Sequence, residues 1–244
     1  MTVVEFASIP KVDLSDAVVE QIRDAVLLGH LRPDDTLPSE RELAVQLGVN
    51  RTTVREALLR LELLGLIDRG HGRLCRVLDF RRHGSTSLVP HLVRLRVGGA
   101  AESFVESIAV IYEGTVGLAT VRATSDDLHT IERAVEALEE AIGSGDHHAI
   151  VAADREFHHA VAAASHSVVL ELMTGNHYRT FDGAFDAAGR VKQSQVDELV
   201  DLHQRGRTVP HRRIFDAIAS GDEELARERA VALVTRSPRG RRSG

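Results

Sequence analysis

Two sets of side chains in this sequence have the types and spacing to do chemistry. The run Arg51-Thr52-Thr53-Val54-Arg55 gathers two guanidinium groups and two hydroxyls within about one helical turn. Arginine bonds a guanine edge through two parallel N–H donors, while threonine hydroxyls and backbone N–H groups hold phosphate. Far downstream, Asp154 and His158 stand four residues apart. On a helix that spacing puts a carboxylate and an imidazole on one face, where they can share a metal ion or bond to each other as a buried pair. Taken alone, RTTVR fits the solvated face of an amphipathic helix as well as it fits a groove, so its surroundings decide.

Those surroundings are ordered. Ser39 followed by Glu42 has the spacing of a capping box, and predicts a helix with Leu43, Ala44 and Leu47 on its buried side. Gly48 lies just past it, where a left-handed C-cap costs least. Asn50 then caps a second helix whose Val54, Leu58, Leu61 and Leu64 recur along one face, leaving Arg51, Thr52, Thr53 and Arg55 at its N-terminal face. Gly65 ends it. Leu66 to Arg69 and Leu74 to Leu78 read as two short strands joined by a turn at His71-Gly72. Two short helices with a tight break, followed by a β-hairpin, make a helix-turn-helix with a wing, which lays its second helix in a major groove. A further helix from Leu14 to Leu28, with Val18, Ile22, Ala25 and Val26 inward, completes a three-helix domain over residues 1–79, behind a loose arm at residues 1–12.

The polar stretch 80–87, FRRHGSTS, reads as a linker. Ser85 or Ser87 caps a helix over Leu88 to Val97, Gly98-Gly99 breaks it, and the remainder is helical. The expected segments run from Ala101 to Ala123, Ser125 to Ser144, Asp146 to Ser165, Val168 to about Ala187, Gln193 to Ser220 and Asp222 to Thr235. Residues 88–236 are thus an all-α bundle, and 237–244 a basic disordered tail. His147-His148 reads as loop. The fold class is mainly α, with one small β-wing.

A net charge of −6 over 244 residues argues against a protein that coats nucleic acid by bulk attraction. Between residues 41 and 76, however, seven arginines (41, 51, 55, 60, 69, 73, 76) face four acids (42, 56, 62, 68), a local excess of +3. A small basic face on an acidic chain fits site-directed binding to duplex DNA. The single cysteine, Cys75, excludes an intramolecular disulfide and a Cys-based zinc site, in keeping with a reducing cytoplasm. No apolar run of membrane-spanning length stands out, and MTVVEFASIPK lacks the apolar core of a signal peptide. The expectation is a cytoplasmic protein with no membrane partner.

LPSERELAVQLGVNRTTVREAL resembles the DNA-binding segment of GntR-type bacterial transcription regulators. HGRLCRVLDFRRHGSTSLVPHLVRL, ADREFHHAVAAAS and HRRIFDAIASGDEELAR are similar to the linker, central motif and C-terminal motif of the FadR branch of that family. The resemblance implies DNA contacts at Arg41, Arg51, Thr52, Thr53, Arg55, His71 and Gly72. It also implies a palindromic operator bound by a homodimer, and a small-molecule effector in a helical domain that also dimerises.

In many relatives the metal site is made of an Asp, the His four residues later, and two more histidines on the last two helices; here it would be a three-ligand zinc or nickel site. Asp154, His158 and His211 match three of these positions; the fourth falls on Leu233, which cannot coordinate. The family's effector-facing arginine is replaced by Ala109, while the Glu that follows it is kept as Glu113. His159, His177 and His203 are alternative ligands. The wing and linker imply a fatty acyl-CoA or similar lipid metabolite as effector, and the Asp-His pair a small carboxylate held by metal. A metalloenzyme built on Asp154, His158 and His211 is the contrasting class. The sequence carries no phosphate loop, nucleophile motif or evident general base for it, so no enzyme activity is expected.

Overall fold

The computed structural model describes residues 14–70, 74–185 and 209–235, the side chains of 181–185 apart. The arm at 1–12, the wing turn His71-Gly72, the start of the segment expected from Gln193, His203 and the tail at 237–244 lie outside the described residues. The chain forms two compact units that divide between Val97 and Gly98.

The first unit begins with α1, Leu14–Leu27. Val18, Val19, Ile22, Val26 and Leu27 are buried, and Ala25 is half-buried. Helix α2, Glu40–Leu47, starts at Ser39. The Ser39 and Glu42 side chains cap each other's backbone, and Gly48 closes the helix at φ 66°. Helix α3, Arg51–Leu63, starts where Asn50 Oδ1 accepts the Thr53 N–H at 2.8 Å. Its inner face of Val54, Ala57, Leu58 and Leu61 is at most 1% exposed. Two-residue strands β1, Ile67–Asp68, and β2, Arg76–Val77, pair antiparallel, with Ile67 opposite Val77. Thr36 bridges Arg76, and Leu37 donates to the Cys75 carbonyl at 2.8 Å, so the turn after α1 flanks the wing.

The stretch 80–97 packs with this unit. Helix α4, Phe80–His83, is a single turn capped by Asp79. Ser85 caps the 3-10 turn Thr86–Leu88, and α5 spans Val89–Leu95. The polar composition of 80–87 reads as a linker, but its backbone is bonded in place. Ser85 donates to the Leu64 carbonyl at 3.0 Å, and Leu88, 2% exposed, joins the core. Arg94 reaches Asp24 on α1 at 2.8 Å. The break expected at Gly98-Gly99 is present, both residues having positive φ.

The second unit is the bundle: α6 Ala100–Arg122, α7 Ser125–Ser144, α8 His147–Ala164, α9 Val168–Phe185, α10 Pro210–Ser220 and α11 Glu223–Thr235. Three of the helix starts have a clear chemical cause. Thr124 and Asp127 form a capping box for α7, Asp146 accepts the first-turn N–H groups of α8, and Pro210 opens α10. His147 and His148, read as loop, form the first turn of α8. Ile131, Val135 and Leu138 of α7 are fully buried within the chain, so they are core and cannot supply a dimer surface. Against the sequence expectation, α6 is long and apolar enough to cross a bilayer by composition. Here it packs against α8, α9, α10 and α11 as the core helix of the bundle.

Candidate functional site

In the first unit, α3 presents Arg51, Thr52 and Arg55 to solvent and Thr53 half-exposed, with Arg41 exposed on α2. This follows from the helical period, because Val54, Ala57, Leu58 and Leu61 claim the inner face. The Asn50 cap takes the Thr53 N–H, which leaves the N–H groups of Arg51 and Thr52 at the helix N-terminus for an anion.

The local arginine excess divides into two kinds. Arg60 pairs with Asp16 and Arg76 with Asp34, and Arg69 lies 3.5 Å from Glu40 and 3.9 Å from Glu62. These three hold the unit together. Arg51 is tethered at 3.7 Å to Glu40, while Arg41 and Arg55 make no ion pair among the described residues. The free guanidinium groups are therefore those on the α2–α3 face. The structure brings five of the seven expected DNA-contact residues onto this unit; His71 and Gly72 lie outside the described residues.

In the second unit, helices α8, α9, α10 and α6 converge on one polar cluster. Asp154 and His158 are one turn apart on α8, and His211 stands in the first turn of α10, positioned by the bidentate pair of Arg212 with Glu139 of α7 at 3.1 and 2.6 Å. One Asp154 oxygen lies 2.9 Å from His211 Nε2 and 3.8 Å from His158 Nε2. The ligating atoms of all three residues lie within 4.8 Å of one another. Two donors about 2.1 Å from one zinc at a tetrahedral angle are about 3.4 Å apart, and 2.9 and 3.8 Å bracket that separation. The Tyr178 hydroxyl donates to the other Asp154 oxygen at 3.1 Å, which fixes the carboxylate as a metal's outer partner does.

The cluster also has the right protonation for a cation. Burial works against ionisation of Asp154, but His211, the nearby charge of His158 and the Tyr178 hydroxyl outweigh it and bring its pKa down to about 2. Burial pushes His158 down to about 4, against the pull of Asp154. At neutral pH a carboxylate therefore faces a neutral imidazole, the forms that ligate. His211 is 1% exposed, yet neither of its ring nitrogens has a hydrogen-bond partner among the described residues. Its Nε2 approaches Asp154 closely without hydrogen-bond alignment, as two ligands of one ion do. These residues fit a bound metal.

Leu233 is half-buried and packs against the apolar core of the bundle, consistent with its inability to ligate. His177 meets the Phe104 ring edge-on at 5.7 Å and His159 sits 6.0 Å from the Tyr178 ring; neither joins the cluster of ligating atoms. His203 lies outside the described residues. Sequence reasoning missed the two tyrosines, Tyr112 on α6 and Tyr178 on α9. Their scarcity, two in the whole chain, is the signal that was available.

Comparison with known proteins gives the family of both units. Residues 14–77 match the gntR family of bacterial regulatory proteins, and residues 106–236 match the FCD domain. An Escherichia coli protein named as an L-lactate dehydrogenase operon regulatory protein is 35% identical, over 90% of this chain and 83% of its own length. The Mycobacterium tuberculosis transcriptional regulator Mce2R is 32% identical, over 90% of this chain and 88% of its own. The solved structure of Lar of Listeria monocytogenes has a TM-score of 0.55 at 16% identity, covering 93% of this chain and 95% of that one, and shares the fold. The chain belongs to the GntR family, with an FCD domain after its helix-turn-helix. It is a DNA-binding transcription regulator.

Proposed function

We propose that this GntR-family regulator senses a small carboxylate through a divalent ion, zinc or nickel, held by Asp154, His158 and His211, and that this binding alters its hold on DNA. The observation that carries the reading is the convergence of three ligating atoms from two helices within 4.8 Å, with His211 at 1% exposure and neither of its ring nitrogens hydrogen-bonded among the described residues. An acyl-chain site would need an apolar cavity; the groups gathered here are a carboxylate, two imidazoles and two phenols. When bound, the ion supplies a Lewis-acid docking point for a carboxylate oxygen. With three protein ligands it keeps a position open.

On DNA, Arg51 and Arg55 read guanine edges from α3. Arg41, Thr52 and Thr53 hold phosphates, and His71-Gly72 brings the wing tip to the minor groove. A cytoplasmic homodimer would present two such units to a palindrome. The C-terminal bundle would serve as the effector-binding and dimerisation domain, and the signal would pass through 80–87 and α5. Effector and DNA are then coupled only as far as the effector binds the two arrangements of the dimer with different affinity.

The name of the E. coli relative suggests L-lactate as a first probe. The test is native mass spectrometry of protein purified without chelator or affinity metal, before and after zinc and L-lactate, paired with a gel shift on operator DNA. One ion per chain and a carboxylate-dependent change in the shift are expected. A dimer that takes no metal from zinc-containing buffer, and binds long-chain acyl-CoA instead, would overturn the reading.

A further inference from the structure

Tyr112 is a buried phenol whose hydroxyl bonds to none of the described residues. It sits on α6 at 5% exposure, and its ring meets the His158 imidazole edge-on with centroids 4.7 Å apart. Its hydroxyl has no hydrogen-bond partner among the described residues. Burying a hydroxyl unsatisfied is unfavourable, and native proteins keep few such groups without a use for them. The second tyrosine of the cluster differs, because Tyr178 donates to Asp154 at 3.1 Å. Of the two phenols beside the ligating side chains, one is committed to the protein and one is not.

We propose that the Tyr112 hydroxyl faces the ligand. It donates a hydrogen bond to an oxygen at the Asp154–His158–His211 centre, either that of a carboxylate or that of a water on the ion. The inference rests on the metal-centre reading above. The phenol also stands on a different helix from every ligand, α6 against α8 and α10, with its ring against that of His158.

The chain has two tyrosines and no tryptophan, so its intrinsic emission arises at this site alone. The experiment compares full-length wild type with Tyr112→Phe, both stripped by chelator. Zinc chloride is titrated first, and sodium L-lactate is then added to the zinc-loaded protein, each followed by calorimetry and tyrosine emission. Loss of a hydrogen bond to a charged group weakens binding about tenfold or more. If the partner is the carboxylate, Tyr112→Phe keeps its zinc affinity and loses that factor in the lactate step. If the partner is the ion's water, the loss falls on the zinc step. Either result supports the proposal.

Equal affinities in both steps for variant and wild type would overturn it while leaving the metal centre standing. A wild type that takes up no zinc would overturn the metal-centre reading and this inference with it. A melting test separates ligand binding from support of the fold. Since the hydroxyl bonds to none of the described residues, metal-free Tyr112→Phe should melt at or above the wild-type temperature, and a lower Tm would mark the hydroxyl as structural and refute its role.

Discussion

Acid should destabilise the metal-free bundle through His158, and the size of the effect follows from its burial. The imidazole titrates at about 4 in the folded chain against 6.5 when free, because burial and the neighbouring His211 outweigh the attraction of Asp154. As pH falls below 6.5 the unfolded chain takes up a proton that the folded chain refuses, so stability drops through the whole interval down to about 4. At pH 5 the imbalance amounts to about 2 kcal/mol relative to pH 7.5, and it approaches about 3 kcal/mol at pH 4. Asp154 does not contribute within this window. Its depressed pKa of about 2 supplies stability that is intact above 3.8 and lost only below it. The assay is urea denaturation after chelation at pH 7.5 and pH 5, followed by tyrosine emission, which reports on the bundle because both tyrosines lie there. His91 and His177, also depressed by burial, push the same way, so the control is His158→Gln measured in parallel. The variant should lose about 2 kcal/mol less than wild type between the two pH values. An identical loss in both would show that His158 is not held neutral by its burial, and would remove the protonation argument for the metal centre.

Arg55→Ala removes one exposed guanidinium and no internal bond, so it should weaken specific operator binding at least about tenfold with an unchanged melting curve; fluorescence anisotropy at fixed salt would detect it, and retained affinity would refute the role of Arg55. Asn50→Ala takes the cap from the recognition helix and should cost about 1 kcal/mol, read by denaturation of the N-terminal unit. Gly65→Ala should cost more than about 2 kcal/mol, because φ is 71° and the new Cβ would lie 1.9 Å from the His83 carbonyl oxygen. That substitution should also lower DNA affinity in a gel shift, since Gly65 joins α3 to the wing.

The DNA-binding unit was legible because its determinants are local. Ser39–Glu42, Gly48 and Asn50 each act on a helix end within four residues, and the inward period of α3 is read directly from Val54, Leu58 and Leu61. In the stretch 80–97 the Ser85 cap and the helix after it were legible, but the packing was not, because it comes from distant partners: Leu64 for Ser85, His83 for the crowding at Gly65, and Asp24 for Arg94. No window of sequence contains those pairs. The same holds for the metal cluster. Asp154 and His158 share a helix face and are visible as a pair, whereas His211 is 53 positions beyond His158 and was named only through resemblance. Tyr112 and Tyr178 carried no motif, and their importance comes from burial and convergence, which only the packed bundle reveals.

The packing of α11 on α6 explains why the missing fourth ligand is not replaced from α11. Ala226 and Ala230 are fully buried, which lets the two helices approach closely. Arg227 lies across Gly117, donating to the Glu113 carbonyl at 3.3 Å and to Glu223 at 2.7 Å, and a Cβ at position 117 would fall 2.2 Å from the guanidinium carbon. Small residues and a glycine thus fix α11 in one register along α6. A helix so held cannot rotate a carboxylate inward to stand in for Leu233, which remains packed in the apolar core. Were an ion bound there, any further group around it would have to come from water, from the effector or from another helix. Among the described residues Tyr112, on the helix that α11 grips, carries the hydroxyl beside the cluster that is left without a hydrogen bond. The loss of a histidine on α11 and the presence of an unsatisfied phenol on α6 are therefore consistent with a centre that relies more on its carboxylate ligand and less on protein donors. Such a centre would respond to effector with a larger change in metal retention than a four-ligand site. Zinc loss during dialysis should accordingly slow on adding L-lactate in wild type, and slow much less in Tyr112→Phe; a release rate indifferent to lactate in wild type would refute this account.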